Sequence, residues 1–171
     1  MRRLLFIVLP LALALPACAQ THRRTVLDYF KMLPSNFFEP QQQRMKWLRK
    51  GSSSEIPASE RSAVDLKNDF LRYNADAAGH FDVAVFRFRG KDTVAVLNDY
   101  EGTDLWFYRE HKGHLVDVTK QVFPFRFRRT LTYVLPRRGT TIQVLKGDWP
   151  NLPSKTVLAR FLWRGGRFVR A

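Results

Sequence analysis

The apolar positions of this chain follow two different periods, which divide it into a helical and a sheet-forming part. Helical spacing predicts one helix after Thr25, where Asp28 completes a capping box, and Pro34 ends it. A second helix is predicted after Pro40, which suits a first turn, and Gly51 suits its C-cap. The chain therefore begins its folded part with two short amphipathic helices.

Beyond residue 63 the pattern is typical of antiparallel sheet, with β-branched and aromatic runs separated by short glycine turns. Residues 64–73 fit both a helix and a strand, and we favour a strand. Four hairpins are predicted, pairing 81–88 with 93–97, 105–109 with 115–118, 130–135 with 140–145, and 157–163 with 168–171.

The hairpins also suggest an internal repeat. Residues 93–97 align with residues up to Leu145 at an offset of 48, and Gly113 aligns with Gly166 at an offset of 53. Hairpins that share turn chemistry by chance are the alternative. We predict an α+β, mostly antiparallel β fold with two N-terminal helices and a β-meander, in which a real repeat would give a duplicated sheet, as a sandwich or half-barrel.

This layout resembles exported bacterial proteins that are grouped as domains of unknown function. The resemblance rests on Leu33-Pro34, Phe37-Phe38 and Asp117-Val118-Thr119-Lys120. It covers most of the chain after residue 19 and implies no activity and no catalytic residue.

Residues 1–19 have the organisation of a secretory signal peptide, with two arginines, twelve uncharged apolar residues and a small-residue end. Twelve residues are too few for a spanning helix, which needs about 20. Cleavage between Ala19 and Gln20 competes with a lipobox-like reading in which Cys18 is lipidated. We expect an exported protein, periplasmic or secreted or an outer-membrane lipoprotein, with one domain over residues 20–171, helical to 62 and sheet from 63.

Cys18 is the only cysteine of the chain, so no disulfide is expected in the mature domain. A thiol nucleophile and a cysteine-bound zinc are excluded for the same reason. We predict no cofactor and no metal.

The formal charge of +14 is concentrated in the last third of the chain. Residues 20–119 hold 15 basic and 14 acidic side chains, whereas residues 120–171 hold 12 basic side chains and one acidic. Nine of those 12 are arginines, whose planar guanidinium suits phosphate and carboxylate. Solubilising charge is the alternative explanation, but a merely soluble surface usually mixes both signs.

Some of these arginines alternate with aromatic residues. Phe123, Phe125 and Phe127 share one parity, which predicts a strand with its phenylalanines in the core and its arginines outward. Trp149 lies in a loop and is the best candidate for an exposed aromatic contact. The candidate anion-binding residues are Arg126, Arg128, Arg137, Arg138, Arg160, Arg164, Arg167 and Arg170.

Other candidate sites are weaker. His111 and His114 occupy a predicted hairpin tip, where exposed turn histidines are expected more often than metal ligands. The acidic loop 98–104 lacks the glycine position of an EF-hand, so we expect a polar turn between strands, with a looser calcium-binding loop as the alternative. For a carboxylate hydrolase only Asp82, Glu110 and Asp117 lie on predicted strands, where pairing with Arg87, Arg109 or Lys120 is expected.

Together these features predict a non-catalytic envelope protein that binds an anionic component through the arginine-rich C-terminal sheet. Lipid headgroups, lipopolysaccharide phosphates and acidic glycans are the candidate ligands. A protein-interaction or inhibitor module acting on an envelope protein and a secreted hydrolase are the alternatives. Nucleic acid is not an expected partner, since the signal peptide directs the chain out of the cytoplasm.

Overall fold

A computed structural model describes residues 23–35, 40–54, 56, 61–74, 80–98, 104–125, 128, 130–147 and 156–171. The helices are α1 (Val26–Met32), α2 (Gln41–Gly51) and α3 (Thr119–Val122). The strands are β1 (Ala63–Asp65), β2 (Phe70–Asn74), β3 (His80–Phe88), β4 (Lys91–Asn98), β5 (Asp104–His111), β6 (His114–Asp117), β7 (Leu131–Val134), β8 (Thr141–Lys146), β9 (Val157–Arg164) and β10 (Arg167–Arg170).

The strands form two antiparallel meanders, so the α+β, mostly β prediction is confirmed. The first sheet has six strands in the order β1-β2-β3-β4-β5-β6, and the second has four in the order β10-β9-β8-β7. The four predicted hairpins are all present. Residues 64–73 form parts of β1 and β2, joined by a single 3₁₀ turn.

The two sheets face each other across one hydrophobic core. Ala95, Leu97 and Phe107 of the first sheet contribute to the same buried cluster as Val144 and Phe161 of the second. The opposite face of the first sheet carries Val83, Val94 and Val96, which cluster with buried residues of α1 and α2. The described elements therefore stack as helices, six-stranded sheet and four-stranded sheet.

The helix predictions are mostly confirmed. Thr25 and Asp28 form the capping box, with the Thr25 amide 2.9 Å from Asp28 Oδ2 and the Asp28 amide 3.3 Å from Thr25 Oγ1. Gly51 is not a C-cap but the last residue of α2. A Cβ there would lie 2.3 Å from Ser62 Oγ, so this position needs glycine for close approach.

The strand predicted from the Phe/Arg alternation is not formed at Phe123–Phe125. This segment is irregular and directly follows α3, at whose start the Asp117 carboxylate accepts a hydrogen bond from the Thr119 amide at 2.7 Å. Phe123 nevertheless reaches the core, and its ring centroid lies 4.9 Å from that of Phe161. Phe123 is therefore buried as predicted and Phe125 packs partly buried against the same cluster, but the backbone of these residues is not a strand; Phe127 lies outside the described residues.

The two suggested repeats share a four-strand meander, with β4 equivalent to β8 and Gly113 to Gly166. At the offset of 48, however, Ala95 aligns with Gln143. Ala95 lies in the core between the sheets, whereas Gln143 is half-buried and its neighbours along the strand, Ile142 and Val144, are the core residues. The alignment at that offset therefore superposes opposite faces of the two strands.

No helix in the described part of the chain is long and apolar enough to cross a bilayer. The predicted signal peptide, its cleavage site at Ala19 and Gln20, and Cys18 lie outside the described residues.

Candidate anion-binding surface

The outward side of the four-stranded sheet carries the first group of candidate arginines. Along β9, Ala159, Phe161 and Trp163 are buried, so the alternate residues Arg160 and Arg164 point away from the core. Arg167 stands directly opposite Arg164 in the β9–β10 ladder and therefore shares its face. Arg160, Arg164 and Arg167 are exposed, and we call them the arginine face.

Arg164 and Arg167 flank the Gly165–Gly166 turn as cross-strand neighbours. Like charges in that relation destabilise a hairpin. Among the described residues neither guanidinium forms an ion pair with a carboxylate, whereas other arginines of the protein do. An anion bound between them would relieve the repulsion.

Apolar side chains share the arginine face. Leu158 is 47% exposed and Val134 is 39% exposed, although both are large hydrophobic residues. Val169 and Leu162 are partly exposed and stand opposite each other across the β9–β10 ladder. No described element covers this side of the sheet. The surface is therefore both cationic and apolar.

Arg170 does not belong to the arginine face. Arg170 stands opposite the buried Phe161 in the β9–β10 ladder, so it lies on the core-facing side of the sheet. It is exposed because β10 ends there. Arg128 is also exposed, in the connection before β7. Arg126 and Trp149 lie outside the described residues. Arg170 nevertheless lies close to Arg160, because both line one groove at the end of β9 and β10, and the Ala171 amide donates to the Arg160 carbonyl at 2.9 Å.

Arg137 and Arg138 lie in the β7–β8 turn, at the same end of the sheet as the β9–β10 turn. The register places Thr141 opposite Leu162, and the Trp163 amide donates to the Thr140 carbonyl at 3.0 Å. Arg137 Nε is 3.0 Å from Asp65 Oδ2, so this arginine ties the turn to the first sheet. Arg138 is exposed on the same turn and adds to the positive charge at this end of the sheet.

The Asp65 carboxylate is strongly engaged. Hydrogen bonds from Asn68 and then from Arg137 lower the pKa of Asp65 below its usual value. Arg137 is therefore partly committed to the fold, which the sequence did not reveal because its partner is 72 residues away.

The strand-borne acids considered for hydrolysis are each engaged by neighbours. Asp82 is buried and accepts two hydrogen bonds of 2.7 Å from Arg72. Glu110 binds Arg24 at 2.7 and 2.8 Å, and Asp117 accepts a hydrogen bond from the Thr119 amide at 2.7 Å. None of them pairs with the partners expected from sequence. Asp82 faces the second sheet and Glu110 the helices, so these two carboxylates occupy opposite sides of the first sheet.

The described residues contain no group of three or more His, Cys, Asp or Glu side chains arranged to hold a metal. His111 and His114 pair across the tip of the β5–β6 hairpin, as the sequence predicted. Of the acidic loop 98–104, only Asn98 and Asp104 are described, and they are opposite each other in the β4–β5 ladder.

The sequence did not single out Arg109 as a site residue. Its Nε donates to Thr93 Oγ1 at 2.9 Å, and its Nη2 donates to the Gly166 carbonyl at 2.7 Å. Both acceptors are neutral, and the second comes from the other sheet. Only the alternation of β5 could have placed Arg109 toward the second sheet.

Comparison with protein-family models, with curated proteins and with solved structures finds no match to this chain. The resemblance to exported bacterial proteins of unknown function therefore stays a prediction.

Proposed function

We propose that this chain is a non-catalytic, exported envelope protein that binds a phosphate-bearing lipid surface through the arginine face. The observation that carries the proposal is an uncovered sheet side on which Arg160, Arg164 and Arg167 share space with exposed Leu158 and Val134. Export rests on the predicted signal peptide.

Charge supports an anionic partner. The only acidic side chain after residue 119 is Asp148, against 12 basic ones, and among the described arginines of the second sheet and its turns only Arg137 forms an ion pair with a described carboxylate. Each basic residue near an anionic membrane contributes about 1 kcal/mol of binding free energy. Three arginines on one face would therefore contribute about 3 kcal/mol.

The exposed apolar residues favour lipid over an acidic glycan. A glycan would need arginines and polar groups, whereas leucine and valine on an uncovered face gain free energy only by leaving water. An interface of headgroup phosphates above acyl chains satisfies both kinds of side chain.

The test compares vesicles of phosphatidylcholine with vesicles that also contain phosphatidylglycerol, across a salt series. We expect binding to the anionic vesicles only, weakening as the Debye length falls from about 10 Å at 0.1 M salt to about 3 Å at 1 M. Equal binding to both vesicles, or binding that salt does not weaken, contradicts the proposal.

The variant R160Q/R164Q/R167Q should lower partitioning onto anionic vesicles by about a hundredfold. The matched control is K46Q/R49Q/K50Q, which removes the same charge from α2 on the other side of the protein. An equal loss in both variants would indicate attraction by net charge alone. Binding to alginate, a carboxylate polymer, is measured as well. Tighter binding to alginate than to anionic vesicles would identify an acidic glycan, and not lipid, as the ligand.

A further inference from the structure

The first sheet opens into a cleft at one end. Pairing between β4 and β5 runs from Asn98 opposite Asp104 to Val94 opposite Tyr108. Both strands continue for three more residues, to Lys91 and His111, but over this length β4 pairs only with β3 and β5 only with β6. The β3–β4 and β5–β6 hairpins thus separate at their tips.

The space between these tips is a cleft of about 670 Å³, which we call the hairpin cleft. Cavities of about 300–1,000 Å³ commonly hold small molecules. Its walls include Lys91, Asp92, Arg109, Glu110 and Lys112. It adjoins the arginine face at the β9–β10 turn, where Arg109 donates to the Gly166 carbonyl, but none of its described lining residues belongs to the second sheet.

The two acids of the hairpin cleft are already neutralised. Asp92 forms an ion pair with Arg87 and accepts a hydrogen bond from the Tyr29 hydroxyl at 3.0 Å. Glu110 accepts two hydrogen bonds from the Arg24 guanidinium, one from Nε and one from Nη2. Neither carboxylate is thus an available partner for the remaining cations.

Three cationic side chains of the cleft have no carboxylate partner among the described residues. Lys91 and Lys112 are exposed, one on each hairpin tip. Arg109 is half-buried, and its described acceptors are a hydroxyl and a carbonyl. A guanidinium withdrawn from water without a counter-charge is costly, and an anion in the cleft would supply that charge.

We infer that the hairpin cleft binds the phosphate group of a small phosphorylated molecule, held by Lys91, Arg109 and Lys112. A phosphate monoester carries a charge of about −1.5 to −2 at pH 7, which suits three cations better than a single carboxylate does. Guanidinium and ammonium groups are both established phosphate binders in proteins. This site does not depend on the proposed lipid binding.

The probe is inorganic pyrophosphate, and its binding to the full domain is measured by titration calorimetry at low salt. We expect saturable binding that K91Q/K112Q weakens about tenfold or more. Losing one charge-assisted hydrogen bond is enough to reduce affinity about tenfold. These lysines are exposed, so the double variant should fold normally. K46Q/K50Q on α2 is the charge-matched control and should bind as the wild type does.

Three outcomes would overturn the assignment. They are the absence of saturable pyrophosphate binding, an equal loss in K46Q/K50Q, and binding of citrate as tight as that of pyrophosphate. R160Q/R164Q/R167Q should keep pyrophosphate binding, and its loss there would locate the phosphate on the arginine face. Vesicles containing phosphatidylglycerol distinguish the sources, because displacement of pyrophosphate by them would make the cleft a lipid headgroup site.

Discussion

The Arg109 guanidinium donates a hydrogen bond of 2.7 Å to the Gly166 carbonyl oxygen, and so joins β5 of the six-stranded sheet to the β9–β10 turn of the other. The same guanidinium binds the fully buried Thr93 through Nε. One side chain thus connects two strands and two sheets at the end where the hairpin cleft opens.

We expect Arg109→Gln to lower the free energy of unfolding by about 1–3 kcal/mol, because it leaves a part-buried carbonyl and hydroxyl without their donor. Urea unfolding at neutral pH measures this change. Arg138→Gln, on an exposed neighbouring turn, is the control and should change stability by less than about 0.5 kcal/mol. An equal effect of the two substitutions would mean that the Arg109 bonds contribute nothing specific.

Arg44 of α2 is 1% exposed and holds the C-terminal end of α1. Its Nη2 atom lies 3.0–3.1 Å from the carbonyl oxygens of Phe30, Lys31 and Leu33. Arg44→Ala should therefore cost at least about 2 kcal/mol, since it leaves a cavity and several carbonyls without a donor. Arg49 is exposed in the last turn of the same helix, so Arg49→Ala should lower the free energy of unfolding far less. Thermal and urea unfolding measure both variants, and similar losses would refute the capping role of Arg44.

The hydrogen bonds that the Asp65 carboxylate accepts from Asn68 and from Arg137 predict a pH dependence of stability. The pKa of Asp65 is lower in the folded protein than the value of about 3.9 typical of an unfolded chain. Its contribution is therefore present above that pH and disappears as the pH falls through the folded value.

Asp65→Asn should consequently be less stable than the wild type at pH 7, and the difference should shrink below about pH 4. Urea titrations at several acidic pH values measure this. A stability difference that stays constant down to pH 2 would show that Asp65 acts through something other than its charge.

The exposed Leu158 tests the apolar part of the proposed lipid surface. Leu158→Asn should leave stability within about 0.5 kcal/mol, since the side chain is already half in water. Vesicle binding should weaken several-fold because the leucine no longer enters the interface. Leu66→Asn is the matched control, with a side chain that is 54% exposed on the 3₁₀ turn between β1 and β2. Equal vesicle binding by the wild type and Leu158→Asn would show that Leu158 does not contribute to lipid binding.

Local pattern was sufficient to predict most of the fold. Alternation and turn glycines located all four hairpins, and the Thr25–Asp28 spacing located the start of α1, because these features depend on residues close in sequence. The pattern was misleading at Phe123–Phe125, where apolar spacing predicted a strand. There the tertiary core takes up Phe123 from an irregular segment after α3.

The candidate site was predictable only in part. Strand parity places Arg160 and Arg164 outward once β9 is known, but the pairing of β10 decides that Arg167 joins them and Arg170 does not. The engagement of Arg137 by Asp65 and of Glu110 by Arg24 spans 72 and 86 residues, respectively, which no local pattern encodes.

The sequence by itself determined the alternation of elements and the concentration of positive charge in the last third of the chain, since both are properties of neighbouring residues. Only the tertiary structure decided which arginines share a face, which are neutralised by distant acids, and where the first sheet opens into a cleft. These outcomes depend on strand register and on the stacking of two sheets, which bring together residues that the chain keeps far apart.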